Sequence, residues 1–290
     1  GITRPCTKHN YLVKDVADLA RVMHEAMYVA KTGRPGPVVI DLPKDVMINE
    51  TGYEPIKITQ AKHKTYRPRI KGDQARIREA VELIAKAKRP LFYCGRGVIN
   101  SGSKASKLLT EFVRMTGDPI TLTLMGLGAY PASDRQFLGM VGMHGTYESN
   151  LAMHDCDVMI NIGARFDDRV TGLLSEFSPG SKKIHVDIDQ SSINKTIVVD
   201  VPIVGDCASV LADMIRIWKE IKAKREPKAR KKWWAQIEQW RKRDCLRYTQ
   251  SDEIIKPQYA LERLYALTKD TDTYITTEVG QHQMWAAQYY

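Results

Sequence analysis

Cysteine is scarce in this 290-residue chain: there are five, and the nearest two, Cys207 and Cys245, stand 38 positions apart. That excludes a CxxC redox pair and zinc-ligand spacing. A sparse, odd set also points to a reducing, cytosolic setting. No run approaches the roughly 20 consecutive apolar residues of a membrane span, so no membrane partner is expected. The chain begins Gly1-Ile2-Thr3-Arg4, without an initiator Met or a signal-peptide pattern, and closes on Gln288-Tyr289-Tyr290. A fragment of a longer polypeptide is expected. Apolar residues are not lacking: 43% of the chain is hydrophobic, which excludes global disorder. At roughly 100–200 residues per domain, the length suits two domains, or one whole and two partial ones.

Positive charge is abundant but local. Lys and Arg number 44 against 34 Asp and Glu, a net of +10. Residues 216–247 hold 13 basic and 4 acidic residues, and the remainder is nearly balanced at 31 to 30. Within that segment Trp233, Trp234, Ile237 and Trp240 fall at helical spacing. It reads as a solvated helix docked by its tryptophans. A nucleic-acid binder would need a basic footprint on a folded surface and a recognised motif; no nucleic-acid partner is expected.

Hydrophobic periodicity supplies the elements. Val16, Leu19, Ala20, Met23 and Met27 predict a helix over 15–30, Gly33-Arg34-Pro35-Gly36-Pro37 breaks it, and 38–42 reads as a short strand. From about residue 71, helices over 73–87, 103–115 and 208–218 alternate with strands over 91–94, 119–124, 158–162, 183–189 and 203–204. Pro257 opens another helix, and 273–277 reads as a strand. The alternation predicts βαβ units and a parallel sheet. Unbroken apolar strands predict a sheet covered on both faces.

In an open parallel sheet, ligands bind beyond the carboxyl ends of the strands. Those positions carry Gly95-Arg96-Gly97, Leu124-Met125-Gly126, Gly163-Ala164-Arg165-Phe166-Asp167-Asp168-Arg169, Asp187-Ile188-Asp189 and Gly205-Asp206. Glycine lets the backbone approach a ligand, arginine forks onto a pyrophosphate, and a strand-end carboxylate accepts from ribose hydroxyls. The set reads as a dinucleotide crevice. Singly, its members stay open: Gly95-Arg96-Gly97 is equally a plain turn, since Asn100 stands where GxGxxG needs glycine, and 165–169 is equally a salt-bridge cluster. His144 is a loop histidine on composition, and His9, His24, His63, His154 and His185 give no signal above surface or core filler. Glu278 to Trp285 leads from the last strand into a helix whose amino end suits an anion; it is equally an ordinary polar loop.

Seven ordered strings go further: Thr7–Val13 (TKHNYLV), Gly33–Val38 (GRPGPV), Asp41–Asp45 (DLPKD), Leu124–Gly128 (LMGLG), Gly142–Thr146 (GMHGT), Arg165–Gly172 (RFDDRVTG) and Val279–Trp285 (VGQHQMW). Together they resemble the catalytic large subunits of the acetohydroxyacid synthase (acetolactate synthase) family, over nearly the whole chain. The resemblance implies an α/β fold with a central Rossmann-like parallel-sheet FAD-binding domain, flanked by partial thiamin-diphosphate-binding α/β domains. Residues 1–55 are then the end of the pyrimidine-binding domain, 56–70 a linker, 71–215 the FAD-binding domain, 216–255 a basic linker helix, and 256–290 the start of the diphosphate-binding domain. It implies FAD contacts from Arg34, Thr123, Leu124, Met143, His144, Gly163, Ala164, Arg165, Asp167, Asp187, Ile188 and Asp206. Val279, Gly280, Gln281 and His282 are implied beside thiamin diphosphate, and Lys44, Met143, Asp168 and Arg169 at the substrate channel. The family usually has three consecutive glycines where this chain has Gly95-Arg96-Gly97. Arg96 would there either crowd the FAD or add a cation for its pyrophosphate.

The activity implied is decarboxylation of pyruvate and ligation of the two-carbon unit to pyruvate or 2-ketobutyrate. This is the first common step toward valine, leucine and isoleucine. Thiamin diphosphate, Mg²⁺ and FAD are the cofactors implied, and FAD is not consumed as a redox partner. The family's catalytic glutamate is expected upstream of Gly1, and its metal motif downstream of Tyr290. No catalytic residue and no metal ligand is therefore expected within the chain, which alone should be inactive. A homodimer or homotetramer, a small regulatory subunit and a bacterial-type cytoplasmic setting are implied. The alternatives are another thiamin-diphosphate carboligase or oxidase, such as glyoxylate carboligase or pyruvate oxidase, and a nucleotide-binding module without chemistry. RFDDRVTG and GQHQMW count against the first.

Overall fold

The computed structural model describes residues 1–53, 55, 63, 65–222 and 227–290. The parts of the expected linker at 56–62 and 64, and of the basic segment at 223–226, lie outside the described residues. The chain forms two compact units, Gly1–Ile70 and Lys71–Tyr290.

In the first unit, β1 (His9–Leu12) pairs in parallel with β2 (Val38–Asp41) through the crossover helix α1 (Leu19–Lys31). The apolar stripe of α1 turns Val22, Ala26 and Val29 inward. Its last carbonyls do not go unpaired: Lys8 Nζ donates to Val29 and Thr32, and the Tyr66 hydroxyl donates to Thr32 at 2.8 Å. Pro43 then admits the short helix α2 (Lys44–Ile48).

The second unit runs α3 (Gln74–Lys86), β3 (Pro90–Cys94), α4 (Arg96–Asn100), α5 (Ser103–Thr116), β4 (Ile120–Leu122), β5 (Phe137–Met140), α6 (Tyr147–Asp155), β6 (Val158–Ile162), α7 (Asp168–Thr171), β7 (Lys182–Asp187), β8 (Val201–Val204), α8 (Cys207–Glu220), α9 (Pro227–Arg241), α10 (Pro257–Thr268) and α11 (Gln281–Tyr289). Among the described residues six strands form one parallel sheet in the order β5-β4-β3-β6-β7-β8. The chain works outward from β3 to β5, returns to lay β6 beside β3, and works outward again to β8. This is the Rossmann-type order, and it reverses between β3 and β6.

The sheet is covered on both faces, as its apolar strands require. On β3, Phe92 and Cys94 pack with the layer that includes α3, α5 and α8. Leu91 and Tyr93 pack with α6, α9, Phe166 and Phe177. Each fully buried large apolar side chain contributes roughly 1.5–3 kcal/mol, so strands this short suffice. Helix starts follow their caps: Asp73 accepts from the Ala75 and Arg76 amides, and Asp206 from those of Ala208 and Ser209.

Three differences from the sequence reading stand out. The basic segment 216–255 is not one helix: α8 ends at Glu220 and α9 starts at Pro227, a residue that opens a helix readily but cannot continue one. Residues 273–277 carry no ladder pairing, because no strand lies beside them among the described residues. The elements β1, β5 and α6 are additional.

The docking of α9 is specific. Trp233 and Trp234 donate their indole N–H groups to the carbonyls of Pro90 and Gly117, both at 3.1 Å. Arg241 donates to the carbonyls of Arg135 and Phe137, both at 2.8 Å. Arg230 pairs with buried Asp118 at 2.7 Å. All these partners precede or open β3, β4 and β5, so α9 closes the amino edge of the sheet.

Candidate functional site

The opposite, carboxyl edge is lined by loops. At the reversal point the loop after β3 and the loop after β6 touch backbone to backbone. Gly97 N–H donates to the Gly163 carbonyl at 2.9 Å, and Gly95 N–H to that of Ile162 at 3.1 Å. A Cβ on Gly97 would lie 2.6 Å from Gly163 Cα, and one on Gly95 would lie 2.7 Å from Ala164 Cα. Gly163 also has φ of +64°, a left-handed conformation that suits only glycine well. Arg96, between the two tight glycines, is exposed at the start of α4. The middle position of this loop therefore tolerates a side chain where its neighbours do not.

The other strand ends continue the row. Thr123 N–H donates to the Cys94 carbonyl at 2.9 Å, which ties the loop after β4, with Leu124, to the end of β3. Beyond β5, Asn150 holds Gly142 through both main-chain groups, at 2.9 and 3.0 Å. The next residues, Met143 and His144, are exposed. Met143 N–H donates to the Arg169 carbonyl at 2.9 Å, which brings two expected channel residues together. Beyond β6, Arg165 pairs with Asp167 at 2.7 Å, and Asp167 caps α7, on which Asp168 and Arg169 are exposed. Asp187 ends β7 and accepts from the Asp189 amide at 2.8 Å, with Ile188 between them. Asp206, after β8, is engaged twice: one oxygen caps α8 and the other accepts from the Ser101 hydroxyl at 2.7 Å. Burial pushes the thiols of Cys94 and Cys207 well up, so both stay protonated beneath this edge.

The remaining expected site residues lie elsewhere in the chain. Arg34 and Lys44 belong to the first unit, where both are exposed, Arg34 beyond α1 and Lys44 opening α2. Val279, Gly280, Gln281 and His282 stand at the amino end of α11. The helix reaches the row at its other end, where Gln288 donates to the His144 carbonyl at 2.9 Å. That leaves Gln281 about 10 Å away along the helix. A Cβ on Gly280 would lie 2.9 Å from the His282 ring, so glycine lets that ring fold back over the helix start.

Sequence reasoning missed the buried polar side chains under the loop after β6. Asn161 holds Ala164 through both main-chain groups, at 2.9 and 3.0 Å. His185 Nε2 lies 3.1 Å from the same Ala164 carbonyl, and the Tyr93 hydroxyl donates to the Arg165 carbonyl at 2.8 Å. One signal was available for two of them: Tyr93 and Asn161 each stand just before the end of an otherwise apolar strand.

The sheet order and its glycine-lined reversal point define a class. Residues 77–214 match the family described as the central domain of thiamine pyrophosphate enzymes. Along all 290 residues the chain is 44% identical to the acetolactate synthase isozyme 3 large subunit of Escherichia coli (strain K12), covering 50% of that protein. It is 46% identical to the acetolactate synthase large subunit of Buchnera aphidicola subsp. Schizaphis graminum, and 41% identical to that of Haemophilus influenzae, again over 100% of this chain and 50% of each relative. The chain is thus similar along its whole length to acetolactate synthase large subunits and spans about half the length of these curated relatives. Among the described residues, no helix is long and apolar enough to cross a membrane.

Proposed function

We propose that the chain is the cofactor-binding middle of an acetolactate synthase catalytic subunit, with a flavin nucleotide on the carboxyl edge of the central sheet. The whole protein would decarboxylate pyruvate and join the two-carbon unit to pyruvate or 2-ketobutyrate. The observation that carries this reading is 40–46% identity to large subunits along the entire chain.

The edge fits a flavin nucleotide. No side chain intrudes between the two loops at the reversal point, and a Cβ on Gly128 would meet nothing within 4 Å. Arg165 supplies a guanidinium for the pyrophosphate. Its present pair with Asp167 is exposed, and such pairs contribute about 0–1 kcal/mol, so it exchanges partners at little cost. Thr123, Leu124, Met143, His144, Gly163, Ala164 and Ile188 supply main chain and apolar contact, and Asp187 a strand-end carboxylate. Asp206 is spent on its cap, on Ser101 and, through its carbonyl, on the Val210 amide at 2.9 Å, so it would meet a ligand only at the margin. From the first unit, Arg34 would add a further cation.

Thiamin diphosphate, when bound, supplies an electron sink for the carbanion chemistry. Val279, Gly280, Gln281 and His282 would lie against it, at a helix start that suits an anion. Lys44 and Arg169 would attract the anionic ketoacid, beside Met143 and Asp168. Mg²⁺ and the activating glutamate would be held by residues outside this chain. The whole protein would be a cytoplasmic homodimer or homotetramer with a small regulatory subunit.

The test is paired. The purified chain is titrated with FAD, and acetolactate formation from pyruvate is measured for the chain and for the full-length protein containing it. Flavin binding by both, with activity only in the full-length protein, is the expected result. Activity in the isolated chain overturns the assignment of catalysis to residues outside it, and a full-length protein that cannot be loaded with FAD overturns the flavin site.

A further inference from the structure

We propose that Tyr93, Asn161 and His185 are positioning residues that fix the Ala164-Arg165 turn in the conformation its ligand needs. The proposal rests on the flavin reading of the carboxyl edge. The three form one cross-strand row: Tyr93 stands opposite Asn161, and Asn161 opposite His185, in the register of β3, β6 and β7. All three are fully buried. They face the layer that includes Phe166, whose ring centroid is 6.1 Å from that of Tyr93 and 5.1 Å from that of His185.

Three polar side chains in an apolar layer need a reason, because each buries groups that water would otherwise satisfy. The row one step toward the amino end on the same face carries Leu91 and Met159 on β3 and β6, where packing alone is met by apolar residues. On β7 it carries Lys183, which gives its ammonium to the Ser178 and Ser181 carbonyls. In the row of Tyr93, Asn161 and His185, every polar group except His185 Nδ1 ends on one two-residue turn. The Ala164 carbonyl takes two donors, its amide gives to Asn161, and the next carbonyl takes the Tyr93 hydroxyl. A carbonyl oxygen only accepts, so His185 Nε2 must carry the ring proton. Nδ1 is then a bare acceptor, without a hydrogen-bond partner among the described residues. Burial lowers the His185 pKa to about 4, which keeps the ring neutral and this tautomer in place.

The turn is pinned from beneath and follows Gly163 in its left-handed conformation. Its outer side carries Arg165, which is exposed. A ligand meeting this edge thus finds a main chain already ordered and loses little entropy in binding it.

The purified protein and four variants are titrated with FAD by flavin fluorescence, and each melting curve is recorded. N161D keeps the shape but sets an acceptor against the Ala164 carbonyl. H185F keeps a ring but removes the donor, H185Q restores a donor, and Y93F removes only the hydroxyl. The FAD Kd should rise about tenfold in N161D and H185F, the change that one lost hydrogen bond brings. It should rise less in Y93F and stay near the unmodified value in H185Q, with the melting temperatures of these two unchanged. Equal affinity in all variants overturns the proposal, and so does an affinity that falls only in step with melting temperature. If the unmodified protein binds no FAD, the flavin reading itself fails, and amide exchange decides the brace. Exchange at Ala164 that speeds selectively over Ile160 in N161D and H185F sustains the brace; unchanged exchange overturns it.

Discussion

The two edges of the central sheet hold their strands together by opposite means. At the amino edge, large side chains close the gap: the indoles of Trp233 and Trp234 and the guanidiniums of Arg230 and Arg241 reach from α9 to main-chain carbonyls and to Asp118. At the carboxyl edge, the absence of side chains closes it, as Gly95 and Gly97 meet Gly163 and Ala164. One edge is joined by large side chains and the other by bare backbone.

The comparison can be broken from either side, and the amino edge should give the larger effect. Trp233→Ala removes a buried indole and its bond to Pro90 and should cost about 4 kcal/mol, measured by urea denaturation. A loss below about 1 kcal/mol would mean that α9 does not hold this edge.

Next comes pH. His185 titrates near 6.5 when unfolded and at about 4 when folded, so between those values the unfolded chain binds the extra proton. Its contribution is complete above the unfolded pKa and is lost as pH falls toward the folded one, on the order of 3 kcal/mol in all. Stability should drop over that window, and less steeply in H185Q; equal slopes would refute the role of this ring.

Gly97→Ala should cost about 1–3 kcal/mol, because the added Cβ meets backbone that cannot rotate away. Its melting temperature should fall while that of the neighbouring Arg96→Gly barely moves. The exposed Arg96 sits in the first turn of α4, and its replacement should change stability by less than about 1 kcal/mol. If the two substitutions behave alike, the backbone contact is not what makes glycine necessary here.

Much of this architecture was legible because apolar runs and helical periods are local signals. The patterns over 73–87, 103–115 and 158–162 correspond to α3, α5 and β6 within a residue or two. What escaped lacks such a signal. β5 is four residues with Gly139 at φ of +94°, and its pairing with β4 shifts register. β1 has no apolar run, and α6 has no apolar stripe. The loops at the strand ends could be named in advance because parallel topology dictates where they gather. The row beneath them could not: Asn161 lies within an apolar strand, and His185 reads as filler until the register sets Asn161 between it and Tyr93.

The order of the strands also sets a schedule for folding. β3 opens the sheet, yet after β4 has taken one of its edges the other waits for β6, which follows β5 and α6 in the chain. Long-range parallel pairing of this kind is slow, and an unpaired apolar strand is a template for another chain. Leu91, Phe92 and Tyr93 thus pass through synthesis as an open seam. A nascent chain halted before Val158 therefore leaves one long edge of β3 without its neighbour.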